Sequence, residues 1–210
     1  MKKVFFIVFF TILGVLQSEA QVSFKPGIKA GLNFSKFTNS ETSSKKDFYL
    51  GGLLTINFNR VYTLQPELVY SKQGAFRKEY FLMDYDPIAS SQMRKAEYSL
   101  NYLSLGVMNK FTIGNGFHFV VGPSLDFKVA DNFNENYASD PIGFDLAFVG
   151  GIGYSFPNGL SLDARFKQGL VDIFGNNFNT NNDTNGNGNY DEIVLNQLFQ
   201  LGISYSFDLK

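Results

Sequence analysis

The feature that most restricts this chain is a two-residue rhythm that runs through nearly all of it. From Phe24 the even positions read Phe24, Pro26, Ile28, Ala30, Leu32 and Phe34, while the odd ones read Lys25, Gly27, Lys29, Gly31, Asn33 and Ser35. Successive side chains of a strand point to opposite faces, so this segment is an extended strand with one apolar face and one small or polar face. The same alternation returns over 48–58, 62–71, 97–111, 117–129, 142–156, 160–169 and 199–207. In 97–111 the phase changes between Tyr102 and Leu103, which predicts a bulge in that strand. No 3.6-residue pattern follows the first twenty residues, so the chain reads as all-β with eight strands.

The connections alternate in length. Short turns (59–60, 112–116, 157–159) exchange with long polar segments (38–47, 73–96, 131–141, 174–193), and all the short ones fall at one end. An even number of strands, short turns on one side and long loops on the other describe an eight-stranded antiparallel up-and-down transmembrane β-barrel. No linker divides residues 21–210, which read as one barrel domain.

Residue size decides which face is outside. The interior of an eight-stranded barrel is just wide enough to be filled by side chains, whereas its convex face has room for large ones. Here Gly27, Gly31, Gly51, Gly122, Gly143, Gly151, Gly153, Gly169 and Gly202 share the polar face, and most of the Phe, Leu and Tyr share the other. A surface of that kind aggregates in water, so it is expected to meet lipid. Aromatics gather at two heights, Phe24, Phe58, Tyr62, Phe111, Phe117, Phe156 and Phe207 toward the turns and Phe34, Phe48, Tyr70, Tyr98, Phe127 and Phe144 toward the loops. Such bands are the girdles of a membrane barrel. The 24 Phe, 11 Tyr and 20 Gly of the chain fit this reading.

The first twenty residues read as a secretory signal. A basic start (Lys2, Lys3) precedes a 13-residue apolar run, Val4 to Leu16, and Ser18-Glu19-Ala20 supplies small residues for cleavage before Gln21. The run is short of the roughly 20 residues that a spanning helix needs. The chain contains no cysteine, which excludes a disulfide framework, a thiolate metal site and a lipoprotein anchor. With 18 basic against 19 acidic residues there is no global field to attract nucleic acid. The expected location is the outer membrane of a Gram-negative cell, with membrane lipid as the first partner.

The inward face carries Lys25, Lys29, Lys128, Arg165 and Lys167 against Glu67, Asp126, Asp145 and Asp163. Buried charges persist when paired and hydrogen-bonded, so these nine are expected to form a polar plug that closes the lumen to solutes. Catalysis finds little support: His118 is the one histidine, facing inward with Ser124 six residues on. The expectation is a protein that is not an enzyme.

Several blocks of the chain resemble a known family. Gly27-Ile28-Lys29-Ala30-Gly31-Leu32-Asn33, Leu64-Gln65-Pro66-Glu67-Leu68-Val69-Tyr70-Ser71-Lys72-Gln73-Gly74, Asn101-Tyr102-Leu103-Ser104-Leu105, Val121-Gly122-Pro123, Gly159-Leu160-Ser161-Leu162-Asp163-Ala164-Arg165 and Phe199-Gln200-Leu201-Gly202 look like the PorT family of Bacteroidetes outer-membrane β-barrel proteins. The resemblance implies an eight-stranded barrel of the architecture also found in OmpX and the N-terminal domain of OmpA. It points as well to a subunit of an envelope assembly, since the founding member is linked to type IX secretion. Two departures stand out: Gly106 where relatives often have Pro, and Asp208-Leu209-Lys210 after the terminal aromatic Phe207.

Two exposed segments carry further candidates. Within the 73–96 segment, Phe76, Arg77, Tyr80, Phe81 and Tyr85 form an aromatic and basic contact surface for a partner. Asp183, Asn185, Asn187, Asn189 and Asp191 place oxygen side chains at every second position around Gly186 and Gly188, the spacing of a calcium loop, while Val194 stands where an EF-hand has its bidentate glutamate. The alternative is a flexible Asn/Gly-rich loop. The sequence thus supports a barrel whose external loops bind a partner or ligand, with two alternatives, a subunit of an envelope complex and a soluble periplasmic carrier. For the calcium loop, calorimetry on the folded barrel should give heat of binding in the millimolar range, abolished by Asp183→Ala with Asp191→Ala; no heat, or equal heat in the double variant, removes the site.

Overall fold

In the computed structural model, residues 22–81, 92–133, 140–175 and 193–208 are described, and of 79–81 and 92–95 the backbone alone. Eight antiparallel strands close into one barrel: β1 Ser23–Phe37, β2 Thr42–Asn57, β3 Tyr62–Phe81, β4 Gln92–Ile113, β5 Phe117–Asp131, β6 Phe144–Ser155, β7 Leu160–Gly169 and β8 Asn196–Ser206. Each pairs with its sequence neighbours, and β8 returns to β1 from Gly27↔Ser206 to Phe37↔Asn196. Closure removes every sheet edge at membrane height, so each backbone N–H and C=O of the spanning zone finds its partner within the wall.

The two faces divide by residue size. Ile28, Leu50, Leu105, Phe119, Leu146, Phe166 and Ile203 all point outward and remain exposed, Ile28 by 56% and Phe119 by 43%. Inward positions hold Lys29, Asn33, Gln65, Glu67, His118, Asp126, Asp163, Arg165 and Lys167, all buried. Outside, aromatic neighbours form the turn-side girdle, with Phe58 and Tyr62 stacked at 5.5 Å and Tyr62 and Phe111 at 5.4 Å. The loop-side girdle includes Phe34 with Phe199 and Phe48 with Tyr70, each at 6.3 Å.

Inside, large side chains stand over glycines of the next strand. The directly paired residues Gly27↔Leu53, Gly31↔Tyr49, Gly51↔Val69, Glu67↔Gly106, His118↔Gly153 and Gly151↔Arg165 each set one bulky group against one missing side chain. A Cβ on Gly31 would strike the Tyr49 ring, and one on Gly153 the His118 imidazole. Of the glycines expected on this face, Gly143 instead precedes β6, exposed and in open space.

The loop end departs from the sequence reading in three ways. Strands β3 and β4 pair without a break from Tyr62↔Phe111 to Phe81↔Gln92, so most of the expected 73–96 loop is a ladder. Likewise β1 and β2 continue to Phe37 and from Thr42, leaving little of the expected 38–47 loop. Above the membrane a ladder still saturates its backbone groups but no longer needs an apolar face, so period two fades where the strand goes on.

The phase change at Tyr102 is not a bulge in β4, whose side chains alternate regularly from Ala96 to Met108. The irregularity lies in the facing strand, where Asn101↔Ala130 is followed by Tyr102↔Lys128, so that the extra residue is Val129 of β5. What changes at Tyr102 is the interior. Tyr98, Leu100 and Tyr102 point inward into an apolar cluster with Phe37, Ala75, Phe133 and Ile173. Tyr98 therefore belongs to this inner cap, only 6% exposed, and not to the girdle.

The glycine seats give a direct test. A Cβ on Gly122 would collide with the Val107 carbonyl oxygen, whereas one on Gly150 meets nothing. Gly122→Val should fail to refold into the compact, heat-modifiable species seen on gels, while Gly150→Val should refold like the parent.

Candidate functional site

The chemistry-bearing residues gather in the lumen, stacked in tiers along the barrel axis. At mid-height Glu67 of β3 is the hub. Lys29 Nζ of β1 donates to its Oε2 at 2.7 Å, and Arg165 Nη1 of β7 donates to both carboxylate oxygens at 2.9 and 3.0 Å. Gln65 Nε2 adds a donor to Oε1 at 2.7 Å. Arg165 also faces Asp163 Oδ1 at 3.6 Å, and the Lys29 ammonium stands 5.4 Å from the Tyr49 ring centroid. Two cations and two carboxylates thus neutralise one another where water is excluded, the arrangement under which buried charge is tolerated.

Toward the loops, Lys167 of β7 bridges to Asp126 of β5 at 2.5 to 2.7 Å and to Ser124 Oγ at 3.2 Å. Asp145 is also buried, but it is held by the backbone N–H of Val171 at 3.2 Å and forms no ion pair among the described residues. Beside this tier lies a layer of amides. Asn33 donates to Ser71 Oγ at 2.9 Å and to the Lys72 carbonyl at 2.6 Å, Gln200 donates to Asn33 at 2.8 Å, and Asn196 donates to Gln73. The apolar cap of Tyr98, Leu100, Tyr102 and Phe133 closes the stack. Between the tiers remains a cavity of about 30 Å³ among Lys29, Glu67, Ser104, Ser124 and Arg165, room for about one water.

The other expected lumen charges sit at the two ends. Lys25 pairs with Asp208 at 2.5 Å, both well exposed at the turn-side mouth. Lys128 pairs with Asp131 at 2.7 Å and donates to the Pro141 carbonyl at 2.6 Å on the loop side. A cluster not anticipated from sequence joins them there: Lys45 bridges Asp47 at 2.9 Å and Glu97 at 3.0 Å. Lys45 lies in the segment read as loop, so its inward direction had no signal. The hydrogen bond from Lys45 holds the Glu97 carboxyl below the usual carboxylate range.

His118 is wholly buried and aligned differently from the expected neighbour Ser124. Its Nε2 meets Asp163 Oδ1 at 3.0 Å, its Nδ1 shares a hydrogen bond with Ser155 Oγ at 3.1 Å, and Lys110 Nζ donates to the same Oγ at 2.7 Å. The row Ser155, His118, Asp163 has the order of a hydrolytic triad but lacks its working parts. The Lys110 ammonium donates to one lone pair of the Ser155 hydroxyl, and the backbone N–H groups of Ser155 and Phe156 are committed to the Gly116 and Leu160 carbonyls, so neither backbone group serves as an oxyanion donor. A period-two count from His118 to Gly153, its cross-strand partner, already puts Ser155 on the inner face.

Of the contact candidates, Phe76 is half-buried on β3 and Arg77 is exposed beside a recess of about 340 Å³ lined by Phe37, Tyr98, Phe133, Ile173 and Phe174. Tyr80 and Phe81 continue the β3 ladder, and Tyr85 lies outside the described residues, as do Asp183, Asn185, Asn187, Asn189 and Asp191. Among the described residues no cluster of three potential metal ligands occurs.

A closed antiparallel barrel of eight strands, greasy outside and polar within, is the form of an integral outer-membrane protein. Residues 17–175 match the outer membrane protein beta-barrel domain family, and the chain belongs to it. Among solved structures it is similar to Ail, the attachment invasion locus protein of Yersinia pestis, in complex with the heparin analogue sucrose octasulfate, at 13% identity and a TM-score of 0.46, over 88% of this chain and 99% of that one. It is also similar to neisserial surface protein A, at 14% identity and a TM-score of 0.48, over 89% and 99%. These likenesses are of architecture alone. No curated protein matches the chain.

The hub makes a quantitative prediction. Glu67→Ala strands Lys29 and Arg165 and should lower unfolding stability in detergent by roughly 3–5 kcal/mol, as removal of one member of a buried ion pair does. Asp145→Asn disturbs a neutral backbone contact and should cost about 1 kcal/mol or less. Urea titrations of the two refolded variants give the comparison; equal losses would remove Glu67 from its central place.

Proposed function

We propose that this protein is a non-enzymatic outer-membrane barrel whose lumen is closed by its own side chains and whose external end is a binding surface. One observation carries this reading, the height of the β3–β4 ladder. A strand needs about 9–11 residues to cross the apolar zone. β3 and β4 have 20 and 22, whereas β6 and β7 have 12 and 10. About half of the ladder therefore stands clear of the membrane, on the side away from the short turns. At its foot lies the apolar recess beside Arg77 and Glu41. Such a raised wall serves no purpose in holding the barrel in lipid, and a recess of this size with charged rims suits a partner that brings apolar side chains.

The polar tiers support the closed lumen, because the space among Lys29, Glu67, Ser124 and Arg165 holds about one water. The signal over residues 1–20 and the barrel over 21–210 complete the reading as an exported protein. A place near the PorT branch of Bacteroidetes is the second reading, and with it a role as a subunit of an envelope assembly. It is favoured by the most specific sequence block, Leu64 to Gly74, which carries the hub carboxylate Glu67, its donor Gln65, and Ser71 and Gln73 of the amide layer.

A photoreactive amino acid at Phe76 or Arg77 should yield adducts of defined mass in native membranes, and none when placed at the lipid-facing Phe119 or Leu146. No adduct from 76 or 77 would defeat the external-surface reading. Adducts from 119 or 146, with the protein migrating in a large complex on native gels, would favour the subunit reading instead.

A further inference from the structure

The turn-side mouth holds a second polar cleft, unrelated to the external surface. It measures about 190 Å³ and opens along the barrel axis between Lys25, Lys110, Ser155, Thr55, Thr63 and Ser206. Its charges do not cancel. Lys25 is paired with Asp208, and deeper in the lumen Lys29 and Arg165 are matched by Glu67 and Asp163. Among the described residues Lys110 has no carboxylate in contact; its ammonium is half-buried and donates to one neutral hydroxyl, that of Ser155. An ammonium has three donors, so at least two of them are left for a ligand. The hydroxyls around it are weak partners for one another: Ser155 with Ser161 at 2.9 Å, Thr55 with Ser206 at 3.0 Å.

We propose that this cleft binds a small soluble oxyanion, a carboxylate or phosphate group, arriving from the compartment on the turn side. The chemistry follows from the lining. One uncompensated cation supplies attraction, and several hydroxyls, each both donor and acceptor, turn toward the oxygens without a charge penalty. A second cation, Lys25, stands at the rim, where Asp208 holds it until an anion competes. The volume admits a headgroup of a few heavy atoms and not a drug-sized ligand. The lysines and hydroxyls of the lining project from inward strand positions, with Phe156, Pro157, Gly159 and Asp208 at the rim, so an anion enters along the axis. A lipid phosphate would have to leave the outer surface and turn back over the rim aromatics.

The refolded barrel in a zwitterionic detergent tests this with inorganic phosphate at constant ionic strength, sodium chloride making up the balance. Phosphate should bind saturably in the millimolar range and shift the amide resonances of Lys110, Ser155 and Ser161. Lys110→Met should weaken binding about tenfold or more, as loss of a charged hydrogen bond does. In the unaltered protein, phosphate should slow reductive methylation of Lys110 several-fold while leaving the outward-facing Lys46 unchanged; this arm needs no variant to fold. No saturable shift together with no protection of Lys110 overturns the proposal. Equal affinity in a folded Lys110→Met variant overturns it too. Protection seen only in phosphatidylglycerol vesicles without free phosphate would assign the site to lipid and overturn the soluble ligand.

Discussion

Narrowness of the interior is the constraint on which the rest of this structure depends. Around eight strands the inner face is just wide enough to be filled by side chains, so many of its cross-strand pairs set one large group against a glycine. The chain answers with pairs such as Tyr49 over Gly31, Arg165 over Gly151 and His118 over Gly153. This alternation of bulk and void fixes register as firmly as the turns do, since a one-residue slip would bring each large group onto the wall and turn the apolar set inward. It also places the ionic groups, because the seats decide which cations and carboxylates share a height.

Electrostatics then determines what the filled interior can be. Charges removed from water are costly unless matched, and the mid-height group is matched charge for charge, Lys29 and Arg165 against Glu67 and Asp163. Further up, amides and hydroxyls replace charges, and above them the lining becomes apolar. The order follows the surroundings: the shared hub of charges lies where lipid encloses the wall, and toward the loops tyrosines and phenylalanines cap the axis beside the Lys45 and Lys128 pairs. Above the membrane the ordinary rule of soluble proteins returns, with apolar groups inside and polar groups outside. The barrel is in effect two folding problems solved by one sheet.

This inversion explains which parts of the structure the sequence makes legible. Period two and side-chain size were sufficient for the strand count, the direction of each face and the polarity of the lumen, because lipid and a narrow interior impose both at once. They failed where lipid ends. Tyr98, Leu100 and Tyr102 read as a phase error in β4, although the strand is regular and its environment has changed. The ladder beyond Gly74 read as loop because charged residues such as Lys78 and Lys95 break the pattern without breaking the pairing. The inward set was legible residue by residue, but its pairing was not. Arg165 and Glu67 lie on strands far apart around the wall and meet only because both reach the axis. Ser155 could have been placed inside by counting, yet its contact with Lys110 depends on strand stagger that no local pattern encodes.

The layered interior has a bearing on evolution. Each tier obstructs the axis at its own height with different chemistry, so losing one stopper leaves the others standing. On the closed-lumen reading proposed above, opening a conduit would take the removal of salt bridges, amides and the aromatic lid together, and a lineage clearing them one at a time would pass through intermediates that gain no permeability.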